Sequence, residues 1–206
     1  MHYRPTQPEH LIGPARRIAS ILVPKAKRLN DSPQEGLMKL LLFGAPGVGK
    51  TNVAQMVAAS LAGGEMLSIE ETEGKNVRIE TVRRWIDQLA YGNLWGGLQV
   101  QIVNELDLVP RDAQDLMLGY LDRLPLGRAF IGTSNLQLDL LQERFQTRLQ
   151  QFRVEAPSTE EIASFLMEKF NIGEMEANQI AVGSGGNVRA ALADTESLLD
   201  CQMATH

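Results

Sequence analysis

Gly44-Ala45-Pro46-Gly47-Val48-Gly49-Lys50-Thr51 fits the pattern G-x-x-x-x-G-K-[ST] at every position, and its reading decides the fold. Glycines let successive backbone N–H groups turn inward around a phosphate, and a helix opening at the lysine adds the partial positive charge of its N-terminus. At this spacing Lys50 reaches the outer phosphates of a nucleoside triphosphate, while the Thr51 hydroxyl can ligate Mg²⁺. A chance match somewhere in such a chain is on the order of one per cent. The flanks cut that further. Residues 37–43 form a nearly all-apolar run, as expected of a central strand buried on both faces. Behind the loop, Val53, Met56, Val57 and Leu61 share one helical face, and Gly63-Gly64 supply the stop.

Outward from this point, strands and helices alternate. Further strands are expected over 66–69, 98–103, 129–133 and 151–154, and helices over 14–22, 50–61, 79–89 and 113–124. Pro24, Asn30, Asp31, Ser32 and Pro33 read as a connector after the first helix. The pattern predicts an α/β fold, a doubly wound parallel sheet of five strands. Pro157 marks a break, and Ser158 or Thr159 with Glu160 and Glu161 opens a helix by capping logic. Only helices follow, interrupted at 171–173 and 183–186. Two domains are therefore expected: residues 1–156 as the α/β unit and residues 157–206 as a small helical one.

The 206 residues allow one large domain, or one full domain with a small partner. Apolar runs stop far short of the roughly 20 residues that cross a bilayer, and Met1-His2-Tyr3-Arg4-Pro5 begins no secretory h-region. Cys201 is the only cysteine, which excludes an intramolecular disulfide and a multi-cysteine zinc site. His2, His10 and His206 are too far apart in sequence to suggest a ligand cluster. The expectation is a soluble, cytoplasmic protein with no membrane partner. The net charge of −5 is uneven, since residues 157–206 carry two Lys/Arg against eight Asp/Glu. That segment is either a solvated acidic helical face or a sign that nucleic acid, if bound, touches the first three quarters of the chain.

With these residues in view, the chain resembles the AAA+ ATPases, and within them the clamp-loader branch of replication factor C and bacterial polymerase III loader subunits. The likeness runs in family order from residue 3 to residue 192. Tyr3-Arg4-Pro5 and Leu11-Ile12-Gly13 resemble the loader's N-terminal signature, which in the family packs near the adenine. The resemblance implies that ATP is bound by Ile12 and Gly13 together with Gly44, Pro46, Gly47, Val48, Gly49, Lys50, Thr51 and Asn52. Ile102-Val103-Asn104-Glu105 falls where Walker B belongs, so Glu105 is implied as the carboxylate that polarises the attacking water. Thr51 and Asn104 are the implied Mg²⁺ positions. Thr133-Ser134-Asn135 resembles sensor 1, with Asn135 as its polar residue. Gly186-Asn187-Val188-Arg189 resembles sensor 2, with Arg189 bridging a helical lid to the phosphates. Thr147-Arg148-Leu149 resembles the loader "SRC" segment, which implies Arg148 as an arginine finger acting in trans on a neighbouring AAA+ subunit, in a homo- or hetero-oligomer. Arg144 beside it is a second candidate for that trans role, with a surface helix charge as the favoured reading.

Three departures shape the functional reading. Asn104 stands where the family usually has aspartate, an uncharged substitute beside the metal; Asp107 is either a compensating carboxylate or a solvated one. Leu149 replaces the cysteine of "SRC". The length leaves no room for a collar domain, so the chain is either a fragment or a compact stand-alone relative. DNA contact through Arg83, Arg84 and Arg111 stands beside ordinary helix-surface charge as its alternative. The function implied is a clamp-loader-like ATPase working on DNA, with a sliding clamp as a further partner. The alternatives are a branch-migration or transposition helper and a non-hydrolysing nucleotide switch or scaffold.

Overall fold

The apolar run forms β1 (Met38–Phe43), hydrogen-bonded on one side to β4 (Arg128–Ser134) and on the other to β5 (Gln150–Arg153). The computed structural model describes residues 3–91, 98–135 and 140–204. Beyond β4 lie β3 (Gln99–Asn104) and then β2 (Ile69–Glu73), giving the order β2-β3-β4-β1-β5 with every pairing parallel. This is the expected five-stranded doubly wound sheet.

Alternation along the strands builds two cores. Leu40 and Leu42 of β1 face one way with Val100, Ile102, Ala129 and Ile131, and are covered by α1 (Gly13–Asp31) and α2 (Lys50–Leu61). Leu41, Val103 and Phe130 face the other way, beneath α3 (Ile79–Gln88), α4 (Arg111–Asp122) and α5 (Glu143–Gln146). Every one of these strand side chains is buried. Truncating any of the leucines to alanine would cost about 2–5 kcal/mol.

Two elements depart from expectation. The first helix does not end near residue 22 but continues through Pro24 to Asp31. Proline inside a helix costs about 3 kcal/mol. Here its ring is exposed, while Ala15, Ala19, Leu22, Ala26 and Leu29 remain in register on the buried face, so burial against α2 wins. The second strand begins at Ile69 rather than covering 66–69, and Met66–Ser68 form a single 3-10 turn. As an edge strand paired only to β3, β2 tolerates the run Glu70-Glu71-Thr72-Glu73, whose charge hides it from a hydrophobicity reading.

After β5 the chain forms α6 (Thr159–Phe170), α7 (Glu174–Ser184) and α8 (Val188–Ala204). Ser158 caps α6: its hydroxyl accepts from the Glu161 amide while the Glu161 carboxylate accepts from the Ser158 amide. These helices bury a cluster of their own around Ile162, Leu166, Ala177 and Ala181. Arg17 of α1 pairs with Glu161 at 3.1 Å, tying the two helices together. No helix among the described residues is long and apolar enough to cross a membrane.

Candidate functional site

The parallel register brings the carboxyl ends of four strands to one edge, with Phe43 opposite Ser134, Val103 opposite Gly132 and Glu73 opposite Asn104. Ligands of open α/β sheets bind outside such ends, where the strand order reverses. A cleft of about 920 Å³ opens there. Its floor is Pro46–Asn52, one wall carries Glu71, Asn104, Glu105 and Asn135, and Val188, Arg189 and Leu192 of α8 close the other side. Tyr3, Arg4, Pro5, Leu11 and Ile12 form its outer rim. The Tyr3 ring packs edge-on against Phe165 and Phe170, with ring centroids 5.5 and 6.0 Å away, which fixes the N-terminal segment to α6.

Lys50 is the first residue of α2, behind Gly49 in a left-handed conformation. Its ammonium is buried and donates to the carbonyls of Gly44 (2.9 Å) and Ala45 (2.8 Å) and to Asn135 Oδ1 (3.4 Å). Burial pushes its pKa below the ordinary lysine value; Asp107 and Glu105 oppose that shift, and Arg189 reinforces it. All three of these acceptors are neutral, so among the described residues no carboxylate lies directly on this cation. Gly47 has φ +78°, and a Cβ there would sit 1.8 Å from Asn187 Oδ1. The loop is thus pressed against the start of α8, and the Arg189 amide donates to the Gly47 carbonyl at 3.3 Å. A glycine cradle, a buried lysine, a hydroxyl at Thr51 and nearby carboxylates fit a phosphate chain with its divalent cation. Among the described residues no three His, Cys, Asp or Glu side chains gather as a metal cage. A hard cation here would therefore need phosphate oxygens and water as well, as Mg²⁺ commonly does.

Glu105 follows β3 with φ 50°, ψ 53°, a left-handed conformation that costs a non-glycine residue roughly 1–3 kcal/mol. Its amide donates to Thr133 Oγ1 at 3.3 Å, and its carbonyl lies 2.1 Å from where a Cβ on Gly74 would stand. Only glycine at 74 permits that approach. The turn presents the Glu105 side chain to the cleft and to solvent. Asn104 is buried, accepting from the Thr133 hydroxyl at 3.1 Å and donating to Glu71 Oε1 at 2.6 Å. Asp107 is neither solvated nor in the cleft lining. It is buried and accepts from Ser134 Oγ (2.9 Å) and the Asn135 amide (3.2 Å), which fixes the end of β4.

Of the residues expected at the site, Ile12, Pro46, Gly47, Val48, Gly49, Lys50, Thr51, Asn52, Asn104, Glu105, Asn135 and Arg189 line one cleft. Gly44 contributes through its carbonyl on Lys50. Gly13 is outside the lining; it starts α1, where a Cβ would meet Glu161 Oε2 at 2.5 Å. Arg148 is also outside. It forms a two-pronged ion pair with Asp122 (Nε 2.7 Å, Nη2 2.9 Å) and donates to the Arg144 carbonyl at 2.6 Å. Asp122 holds the Arg148 guanidinium pKa above its ordinary value, and Arg148 holds the Asp122 carboxyl below its own. The Arg144 side chain is exposed. Of the basic residues considered for DNA, Arg84 is paired with Glu70, while Arg83 and Arg111 are exposed and make no ion pair among the described residues. Glu71, Glu73 and Gln55 line the cleft without having been expected there. Gln55 stands four residues after Thr51 on α2, the one sequence signal that could have found it.

Strand–glycine loop–helix geometry with a buried loop lysine defines the class as a P-loop NTPase fold. The profile of AAA, the ATPase family associated with various cellular activities, matches residues 40–157, and the chain belongs to that family. Among solved structures, the Thermotoga maritima RuvB Holliday junction branch migration motor superposes with TM-score 0.73 at 17% identity, covering 98% of this chain and 67% of that one. A point variant of the same protein gives TM-score 0.74 at 17% identity, with the same coverage. At that identity the likeness shows the fold alone. A comparison with curated proteins finds no match.

Proposed function

We propose that this chain is the ATP-hydrolysing module of an oligomeric machine that works on DNA. The observation that carries the reading is Lys50, a buried cation held only by neutral acceptors in a cleft that also receives Glu105, Asn135 and Arg189. In this reading a nucleoside triphosphate lies along Pro46–Asn52, with Lys50 on its outer phosphates. Mg²⁺, held with help from Thr51, supplies charge neutralisation at those phosphates. Glu105 accepts hydrogen bonds from the attacking water and polarises it; Asn135 holds the same water or senses the terminal phosphate. Arg189 reads the phosphates from α8, so residues 157–206 act as a lid whose angle follows nucleotide state over residues 1–156. Arg148 serves the neighbouring subunit's site rather than its own.

The motif resemblance favours clamp-loader-like work. The fold match across 98% of the chain to a branch migration motor favours a second reading, movement of DNA junctions. In either case Arg83 and Arg111, without ion pairs among the described residues, are cations available for the phosphate backbone, whereas Glu70 already compensates Arg84. Binding through them should weaken steeply with salt. The deciding experiment measures ATP turnover alone, with primed DNA and with four-way-junction DNA, alongside size analysis. Glu105→Gln is expected to bind ATP normally and hydrolyse none of it. Absence of wild-type turnover under every condition would leave a nucleotide switch instead.

A further inference from the structure

We infer that Glu71, on the neighbouring strand, supplies the carboxylate for the nucleotide-bound divalent cation that β3 lacks. The inference rests on the nucleotide-binding reading above and names the metal-holding residue of that site. Asn104 ends β3 where a carboxylate would be expected, but its amide is neutral and both polar ends are engaged. A carboxylate only accepts hydrogen bonds, so the end of Asn104 that faces Glu71 at 2.6 Å must be its NH₂; its oxygen is turned to the Thr133 hydroxyl. Asn104 therefore serves to position Glu71.

Glu71 is held from a second side. Gln55 Nε2 donates to both of its carboxylate oxygens at 3.2 Å. Amides fix a carboxylate without neutralising it, and no cation pairs with Glu71 among the described residues. Gln55 lies one helical turn beyond Thr51, so the hydroxyl and the carboxylate border the same stretch of the cleft. Two of the other nearby carboxylates have different tasks. Asp107 is buried under the end of β4, and Glu105 is carried out of line by its left-handed turn. The carboxylate missing from the end of β3 is thus met by one on β2. The charge that the site needs is kept.

Mn²⁺ serves as the probe, titrated by electron paramagnetic resonance into protein saturated with the non-hydrolysable β,γ-imido analogue of ATP. Glu71→Gln should weaken Mn²⁺ binding by about ten-fold or more, the usual range for losing a supporting group at a metal site. Affinity for a fluorescent nucleotide in EDTA should stay as in the wild type. The exchange variant Glu71→Gln/Asn104→Asp rebuilds an amide–carboxylate pair with its polarity reversed, and should restore Mn²⁺ affinity. Unchanged Mn²⁺ affinity in Glu71→Gln overturns the inference. So does weakening that the exchange variant fails to repair, since Glu71 would then matter only for shape. Failure of the wild type to bind the nucleotide in EDTA or with metal would instead remove the nucleotide-binding reading, and this inference with it.

Discussion

The phosphate loop holds Lys50 and the α5–β5 edge holds Arg148, and they do so in opposite ways. Lys50 is buried and surrounded by two backbone carbonyls and an amide oxygen. Arg148 lies at the surface, its guanidinium gripped on two nitrogens by the Asp122 carboxylate. A buried charge with no carboxylate in direct contact among the described residues is costly, and an incoming phosphate relieves that cost directly. At the edge the charge is already balanced by Asp122, so any anion that Arg148 is to bind must displace that carboxylate first. One cation is poised for a ligand of its own chain. The other is already satisfied within its own chain.

The largest effect that separates these two sites is on turnover. If Arg148 is a finger in trans, Arg148→Ala should bind ATP as the wild type does and lose about 10³-fold in hydrolysis, the lower end of what such a residue contributes. Mixing it with a Lys50 variant should restore part of the rate, because some interfaces then pair an intact loop with an intact finger. Concentration-independent turnover, indifferent to Arg148→Ala, would erase the distinction. Arg144 would then be the next cation on that segment to substitute.

Lys50→Met tests the other half. It should lower ATP affinity by about 10²-fold, as expected for losing a charged hydrogen-bonding group from a phosphate site. In the absence of nucleotide its melting temperature should hold or rise, since an apolar side chain replaces a desolvated ammonium. The pH dependence carries a sign. Because the folded-state pKa of Lys50 is depressed, the unfolded chain binds more protons between that value and the ordinary lysine pKa, and stability rises with pH across the interval. Lys50→Met should flatten that rise in a denaturation series at alkaline pH.

The same contrast explains what the sequence disclosed. A phosphate loop is contiguous, so residues 44–51 carry their own geometry, and the strand and helix beside them follow from apolar periodicity. Glu105, Asn135 and Arg189 are reached only through the family resemblance, as motifs that follow a strand or a glycine turn, and all three line the cleft. Glu71 could not be reached, since four polar residues in a row resemble a loop; only pairing to β3 makes them a strand. Asp107 was misplaced for a related reason. A carboxylate three residues beyond a strand reads as solvated, and only the fold shows Ser134 and the Asn135 amide closing over it. The length of α1 was hidden by Pro24, whose local penalty is outweighed by burial that no local pattern displays. The Asp122–Arg148 pair joins residues 26 apart, with nothing in either segment to announce it.

That pair gives the smallest expected effect and the sharpest test of what holds Arg148. Asp122→Asn removes the carboxylate with little change in shape. An exposed ion pair is weak, so the gain in assembly-dependent turnover should be about two- to five-fold at limiting protein concentration. If Asp122 instead aims Arg148 at its target, the same substitution lowers turnover, and the restraint reading fails. Acid titration gives an independent check. The Arg148 hydrogen bonds depress the Asp122 pKa, so the pair's contribution is fully present above the ordinary carboxyl value and is lost as pH falls through the folded value. Lowering the pH through that interval should free Arg148 in the wild type as Asp122→Asn does at neutral pH. The variant should therefore show a flatter acid limb in both its rate profile and its unfolding midpoint. Wild-type and variant profiles that run parallel through the acid range would mean that the pair seen at the α5–β5 edge does not persist in solution.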